Sequence, residues 1–178
     1  MTFRASAPIW IKKRVWDFKQ RKVQTNRLGT PEDMIRFLVG RLDGSAWLLD
    51  LGCGAGHLLA GLRRARWAGH YIGIDISEKA IQTARLLNDD NAEFVVSSIE
   101  TFPSPSRKVN AVTFVESLYY VSECLVPSVL TRCREALLPG GQIHARMWNL
   151  AEHYAYVKQL IQFNGGSCQC ICGTIWSI

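Results

Sequence analysis

What the sequence lacks narrows the possibilities first. No apolar run approaches the roughly 18 residues that span a bilayer. Met1 to Lys13 contain no continuous apolar stretch of the secretory-leader kind. The chain is therefore expected to be cytoplasmic, with no membrane partner. The six cysteines are Cys53, Cys124, Cys133, Cys168, Cys170 and Cys172. They form no C-x-x-C pair and have no histidine-rich partner at zinc-like spacing, so no metal is expected. Cys168-x-Cys170-x-Cys172 alternates, which puts three small side chains on one strand face. In the cytosol they are expected to be reduced core thiols. No Gly-Lys-Ser/Thr occurs, which excludes a P-loop. Internal repeats, low-complexity tracts and domain linkers are absent.

What is present is an ordinary globular composition. The 178 residues suit a single domain, and 48% hydrophobic against 20% charged residues give the usual balance. The net charge of +6 permits an anionic partner. Much of the excess lies early, in Lys12, Lys13, Arg14, Lys19, Arg21, Lys22 and Arg27, with Asp17 as the opposing acid. Two readings fit: a nucleic-acid patch in which Trp10, Trp16 and Phe18 stack on bases, or a solvated helix with an apolar stripe. The second is preferred.

Strand and helix patterns then alternate. A basic helix is expected over 9–26. Thr30-Pro31-Glu32-Asp33 starts a second helix, running to Leu42: Thr caps, Pro suits the first position, and acids favour the positive helix end. Ala46 to Leu51 is an apolar run interrupted by Asp50, as in a strand buried on both faces. Further strands are expected at 70–75, 92–96, 109–115, 142–148 and 168–176. Helices are expected at 57–65, from Ser77 to 88, at 125–137 and at 151–163, with a Pro139-Gly140-Gly141 turn before the fifth strand. This order predicts an α/β fold: a Rossmann-like, doubly wound, mostly parallel sheet with helices on both faces and a shortened C-terminal strand region.

In such sheets ligands bind at the carboxyl ends of the strands. There the chain carries Asp50-Leu51-Gly52-Cys53-Gly54-Ala55-Gly56. Glycines let the backbone turn tightly and approach a ligand, and the following helix offers free N–H groups. A dinucleotide loop reads G-x-G-x-x-G, whereas His57 stands at the sixth position here. Asp50 would repel a pyrophosphate and favour a cationic group. Asp75 ends the next strand, where a carboxylate can accept both hydrogen bonds of a ribose diol. The ligand pattern is an amino acid joined to a nucleoside.

These segments resemble those of class I S-adenosylmethionine-dependent methyltransferases, over roughly residues 30–150. Leu48 to Gly56 is similar to the family's first motif and Tyr71 to Ser77 to its second. Phe94 to Ile99 is similar to the third, Thr113 to Val121 to the fourth, and Ala136 to Gly141 to the turn into the fifth strand. The resemblance implies S-adenosyl-L-methionine (SAM) as cofactor. It places Asp50, Gly52 and Glu116 near the methionine portion, with Cys53 in the loop and Gly54 and Gly56 letting the helix close beneath it. Asp75 would hold the ribose, Ile76 would pack on adenine, and Ser98 and Ile99 would meet the adenine edge. Two departures stand out: Ser98 where the family often has Asp, and Asn110 where Asp often precedes the fourth strand's core.

A sulfonium methyl is already activated, so the protein's task is alignment in a dry pocket. Glu116, Tyr119 and Tyr120 are the catalytic candidates, for positioning, for lining the acceptor pocket, or as a base. His144 is expected to be a hydrogen-bonded core residue and His57 to pack at its helix start. Arg146 and Trp148 are candidates to touch substrate. Glu116-Ser117-Leu118-Tyr119 lacks the Asn/Asp-Pro-Pro-aromatic form of nucleic-acid amino-methylases. Transfer to an O or N atom of a small-molecule acceptor is expected. RNA or protein methylation, or SAM binding without transfer, remain as alternatives. Residues 1–42 are expected to form a helical cap or lid and 43–178 the core. The tail after Ser167 has room for one long strand or two short ones around Gly173. It is shorter than the family's usual closing hairpin, as in a short form or a truncated chain, and an unpaired edge would favour a homodimer.

Overall fold

The fold is taken from a computed structural model, which describes residues 7–23, 31–147, 155, 156, 158, 162, 169–171 and 175–177. Five parallel strands come first: β1 (Trp47–Leu51), β2 (His70–Asp75), β3 (Ala92–Val96), β4 (Val109–Val115) and β5 (Leu137–Arg146). Two short strands, β6 (Gln169–Ile171) and β7 (Ile175–Ser177), add an antiparallel edge. The sheet order is β3-β2-β1-β4-β5-β7-β6. The chain thus reverses direction across the sheet between β1 and β4, the expected doubly wound arrangement, and opens a crevice at their carboxyl ends.

Strand alternation decides which side chains meet which helices. Leu49, Leu51, Ile72, Ile74, Val112 and Phe114 face one layer, where helix α5 (Val126–Ala136) supplies Val126, Val129, Leu130 and Cys133. Leu48, Tyr71, Phe94 and Ala111 face the other. That second layer holds α2 (Glu32–Val39), α3 (His57–Arg64) and α4 (Glu78–Arg85). The period of two in these buried strands is hidden in composition, because both faces are apolar.

Several boundaries shift from the sequence reading. Helix α2 starts after Pro31, without a side-chain cap, and stops at Val39 rather than Leu42. Asp33 accepts the Met34 N–H at 2.9 Å, satisfying one of the first-turn donors. Ser77 caps α4 as expected, accepting from Ala80 N–H at 3.2 Å, but α4 ends at Arg85 rather than Asn88. Strand β5 begins five residues early. Leu137 pairs with Val109 and Gln142 with Ala111, so residues 138–141 bulge out opposite Asn110 alone. The expected Pro-Gly-Gly turn is this bulge. The tail forms two short strands, the second of the two arrangements its length allowed, rather than one strand over 168–176. Met34, Ile35, Phe37 and Leu38 of α2, assigned to the cap from sequence, are buried in the core. Thr30, Trp148, Cys168 and Cys172, the side chains of Cys170, Lys19, Arg21 and Lys22, and most of the expected 151–163 helix lie outside the described residues.

Candidate functional site

The glycine turn leaves β1 and enters α3 at the crevice. Gly52 has φ of +87°, and a Cβ placed on it would lie 2.4 Å from Ser117 Cβ. Ser117 is drawn in because its hydroxyl donates to Leu51 O at 2.5 Å. Gly52 is therefore required twice, by conformation and by close approach. Gly54 also has positive φ (+55°), yet nothing lies within 4 Å of its would-be Cβ. It borders open space, a backbone cradle on the cleft.

Asp75 ends β2 opposite this turn. One carboxylate oxygen accepts from Gly54 N–H at 2.9 Å and the other from Ser77 N–H at 2.8 Å. Burial pushes its pKa up against those bonds. Each oxygen keeps a lone pair for a further donor. Ile76, Ser98, Ile99 and Glu116 line the same cleft, with Tyr120 beside them. The Ser98 hydroxyl accepts from Glu100 N–H at 3.1 Å.

Other expected residues stand behind the cleft wall. Asp50 is 1% exposed and does not line the cleft. Its oxygens accept from Tyr71 OH at 2.5 Å and Thr113 Oγ1 at 3.0 Å. Burial outweighs both bonds and pushes its pKa up to about 6. The Cys53 thiol lies in the core beside Gly73, and burial holds it well above the ordinary thiol range. Gly56 faces Ala84 of α4 and Leu87 just past its end, rather than the cleft. His57, expected to pack, is exposed. His144 is a core histidine against Phe37, ring centroids 4.8 Å apart, and burial lowers its pKa to about 4. Its Nδ1 has no hydrogen-bond partner among the described residues, contrary to expectation.

The three catalytic candidates separate. Glu116 has φ of +55°, outside the region a non-glycine residue ordinarily adopts. Its Oε1 accepts from Arg146 Nη1 at 2.5 Å and its Oε2 from Tyr119 OH at 2.8 Å. Burial, then the Glu116 contact, pushes the Tyr119 phenol far above its ordinary range. The phenol is thus a hydrogen-bond donor and a poor base at neutral pH. Tyr120 lines the cleft and meets the edge of Trp16, centroids 4.8 Å apart.

The sequence reading expected a lid from the N-terminal basic helix but not the contacts that hold it. Helix α1 (Ile9–Val23) lies over the cleft. Lys12 Nζ donates to Glu100 Oε1 at 2.6 Å and to Tyr120 O at 3.1 Å. Ser77 Oγ donates to Asp17 Oδ1 at 2.6 Å. Lys12, Trp16 and Glu100 thus join the cleft, with Val115, Ser117 and Val121. Glu100, Ser117 and Val121 adjoin residues already singled out. The sequence marks Lys12 and Trp16 as basic and aromatic members of this helix but not their partners, which lie some 90 to 110 positions away. Among the described residues no cluster of His, Cys, Asp or Glu could hold a metal, and no helix is long and apolar enough to cross a membrane.

Comparison with known proteins agrees with this geometry. A family profile described as "methyltransferase domain" matches residues 48–141. The ubiquinone biosynthesis O-methyltransferase of Alkalilimnicola ehrlichii is 32% identical over 115 residues, covering 62% of this chain and 44% of that enzyme. The chain thus spans less than half the length of this relative. The solved DhpI–SAH complex superposes with a TM-score of 0.74 at 16% identity, covering 95% of this chain and 94% of that one. The plantazolicin methyltransferase BpumL, solved with a pentazolic desmethylPZN analog and SAH, gives a TM-score of 0.62 at 20% identity, covering 87% and 62%. The two structures show a shared fold. With Asp50, the glycine turn, Asp75 and Glu116 all inside a matched span of more than half the sequence, the chain belongs to the methyltransferase-domain family.

Proposed function

We propose that the chain binds SAM in the cleft between the glycine turn and α1, and transfers its methyl group to an O or N atom of a small-molecule acceptor. The observation that carries this is Asp75: a carboxylate at the switch point of the sheet, held by two backbone N–H groups and facing the cleft. The residues fit the cofactor. The open backbone at Gly54 leaves room that a side chain would fill, the Asp75 oxygens suit a ribose diol, and Ile76 and Ile99 offer apolar walls to a base. Ser98 keeps a lone pair for an amino group, weaker than the carboxylate common at this position.

The bound cofactor supplies an electrophilic methyl on a sulfonium. The chain's own residues orient and enclose. Glu116 presents a carboxylate on the wall expected to meet the methionine portion. Buried Asp50 adds negative charge behind the same wall. Helix α1 acts as a lid: the Lys12–Glu100 pair, with side chains 10% and 8% exposed, latches it down. Trp16 and Tyr120 give the mouth an aromatic, water-excluding edge. The small-molecule reading is supported by the named relatives, the ubiquinone O-methyltransferase above all. It is supported too by the inward use of Lys12 and Trp16, which removes both from a nucleic-acid patch. A cytoplasmic location accords with this role.

Calorimetry with SAM or S-adenosylhomocysteine (SAH) tests the reading. Wild type should bind, and Asp75→Ala should weaken binding by more than about tenfold, the worth of a hydrogen bond to a charged group. An unchanged affinity in Asp75→Ala means that the ribose lies elsewhere. Absence of binding at millimolar ligand overturns the whole assignment.

A further inference from the structure

Arg146 is not among the residues lining the cleft, yet it contacts Glu116 through both main chain and side chain. Its carbonyl accepts from Glu116 N–H at 2.9 Å, one residue past the β4–β5 pairing of Val115 with Arg146. Its Nη1 donates to Glu116 Oε1 at 2.5 Å. The other arm of the guanidinium turns away: Nε lies 2.9 and 2.8 Å from the two oxygens of Asp33, in the first turn of α2. One cation therefore bridges two acids from segments far apart in sequence. The three side chains are only 21–31% exposed, which limits solvent screening.

Glu116 needs such a grip. Its left-handed backbone (φ +55°) is costly for a residue with a Cβ and persists only where the surroundings impose it. These three side chains together carry a net charge of −1. That charge sits beside the part of the cleft where a cationic amino-acid group is expected. Without Arg146, Glu116 would keep the Tyr119 hydroxyl on Oε2 but lose the cation that holds Oε1.

We propose that Arg146, anchored by Asp33, is a positioning residue for the methyltransferase site: it fixes the Glu116 carboxylate on the cleft wall so that the cofactor's ammonium meets a preset charge. This rests on the cofactor reading above. It also gives α2 a role in the site that its place in the core does not suggest.

A double-mutant cycle read by SAH calorimetry tests it. Arg146→Met should weaken SAH binding roughly tenfold and Asp33→Asn by a few-fold, in line with lost charged hydrogen bonds. In a Glu116→Gln background, neither substitution should weaken it further by more than about twofold. Arg146→Lys keeps the charge but not the two-armed geometry, and should fall between Arg146→Met and wild type. Should Arg146→Met fail to fold, the Asp33→Asn arm of the cycle carries the test alone. The proposal is overturned if the effects persist undiminished in the Glu116→Gln background, or if melting temperature falls while SAH affinity stays at the wild-type value. Failure of wild type to bind SAH overturns the cofactor reading itself, and this proposal with it. Intact wild-type binding with additive variants overturns this proposal alone.

Discussion

Replacing Asp50 by Asn should change how stability depends on pH. Asp50 is fully buried, and its pKa is raised from an ordinary 3.8 to about 6, first by burial. A raised carboxylate pKa means that the native state holds its proton more tightly than the unfolded chain does. The associated stability is complete below about pH 3.8 and is lost as pH rises toward 6. A shift of about two units, at about 1.4 kcal/mol each, amounts to about 3 kcal/mol. That is a large share of the 5–15 kcal/mol typical of a domain. Asn carries no titrating proton, so the variant should lack this decline and gain on wild type as pH rises. Asp75 is also raised and contributes in the same direction in both proteins, and its charge is the smallest of the causes that set the Asp50 shift. Urea denaturation of both proteins from pH 4.5 to 7.5 gives the two stability curves. Because the first part of the loss lies below pH 4.5, they should diverge by about 2 kcal/mol across this window. Parallel curves would refute the reasoning, showing that Asp50 titrates in the folded protein as it does in water.

The two cleft glycines should respond unequally to alanine. Gly52→Ala meets both a strained φ and Ser117 Cβ at 2.4 Å, a combined cost of about 2–5 kcal/mol. Gly54→Ala meets the strain alone, at about 1–2 kcal/mol. Thermal melts should rank them so; equal losses would show that the approach of Ser117 does not matter. Lys12→Met should release α1 by leaving Glu100 without its cation, since a broken buried pair costs about 3–5 kcal/mol. Proteolysis within residues 9–23 should quicken and SAH affinity fall; unchanged digestion would exclude the latch.

How much of this was legible in the sequence follows from where each signal lives. The glycine turn, Ser77 and the acids at strand ends were readable because turns, caps and strand termini are local in chain position. Element boundaries slipped where tertiary pairing overrode the local signal. Gly140 and Gly141 look like a turn that delays the strand, but pairing of Leu137 with Val109 starts β5 earlier and folds them into a bulge. Asp50 was readable as a charge of importance, but not its position behind the wall. Strand alternation sends it to the Leu48 side of the sheet, where the hydroxyls of Tyr71 and Thr113 meet it.

The sequence by itself determined the layered α/β order, the glycine turn and the acid on the second strand, because alternating periodicity and glycine's conformational freedom are properties of neighbouring residues. Only the tertiary structure decided which distant side chains hold the cleft together. Lys12 reaches Glu100 across 88 positions, and Arg146 reaches Asp33 across 113. No local pattern encodes such contacts. They arise when the parallel sheet brings the ends of β4 and β5 beside α2, and when α1 lies across the crevice, so that side chains with no relation in sequence come within hydrogen-bonding distance.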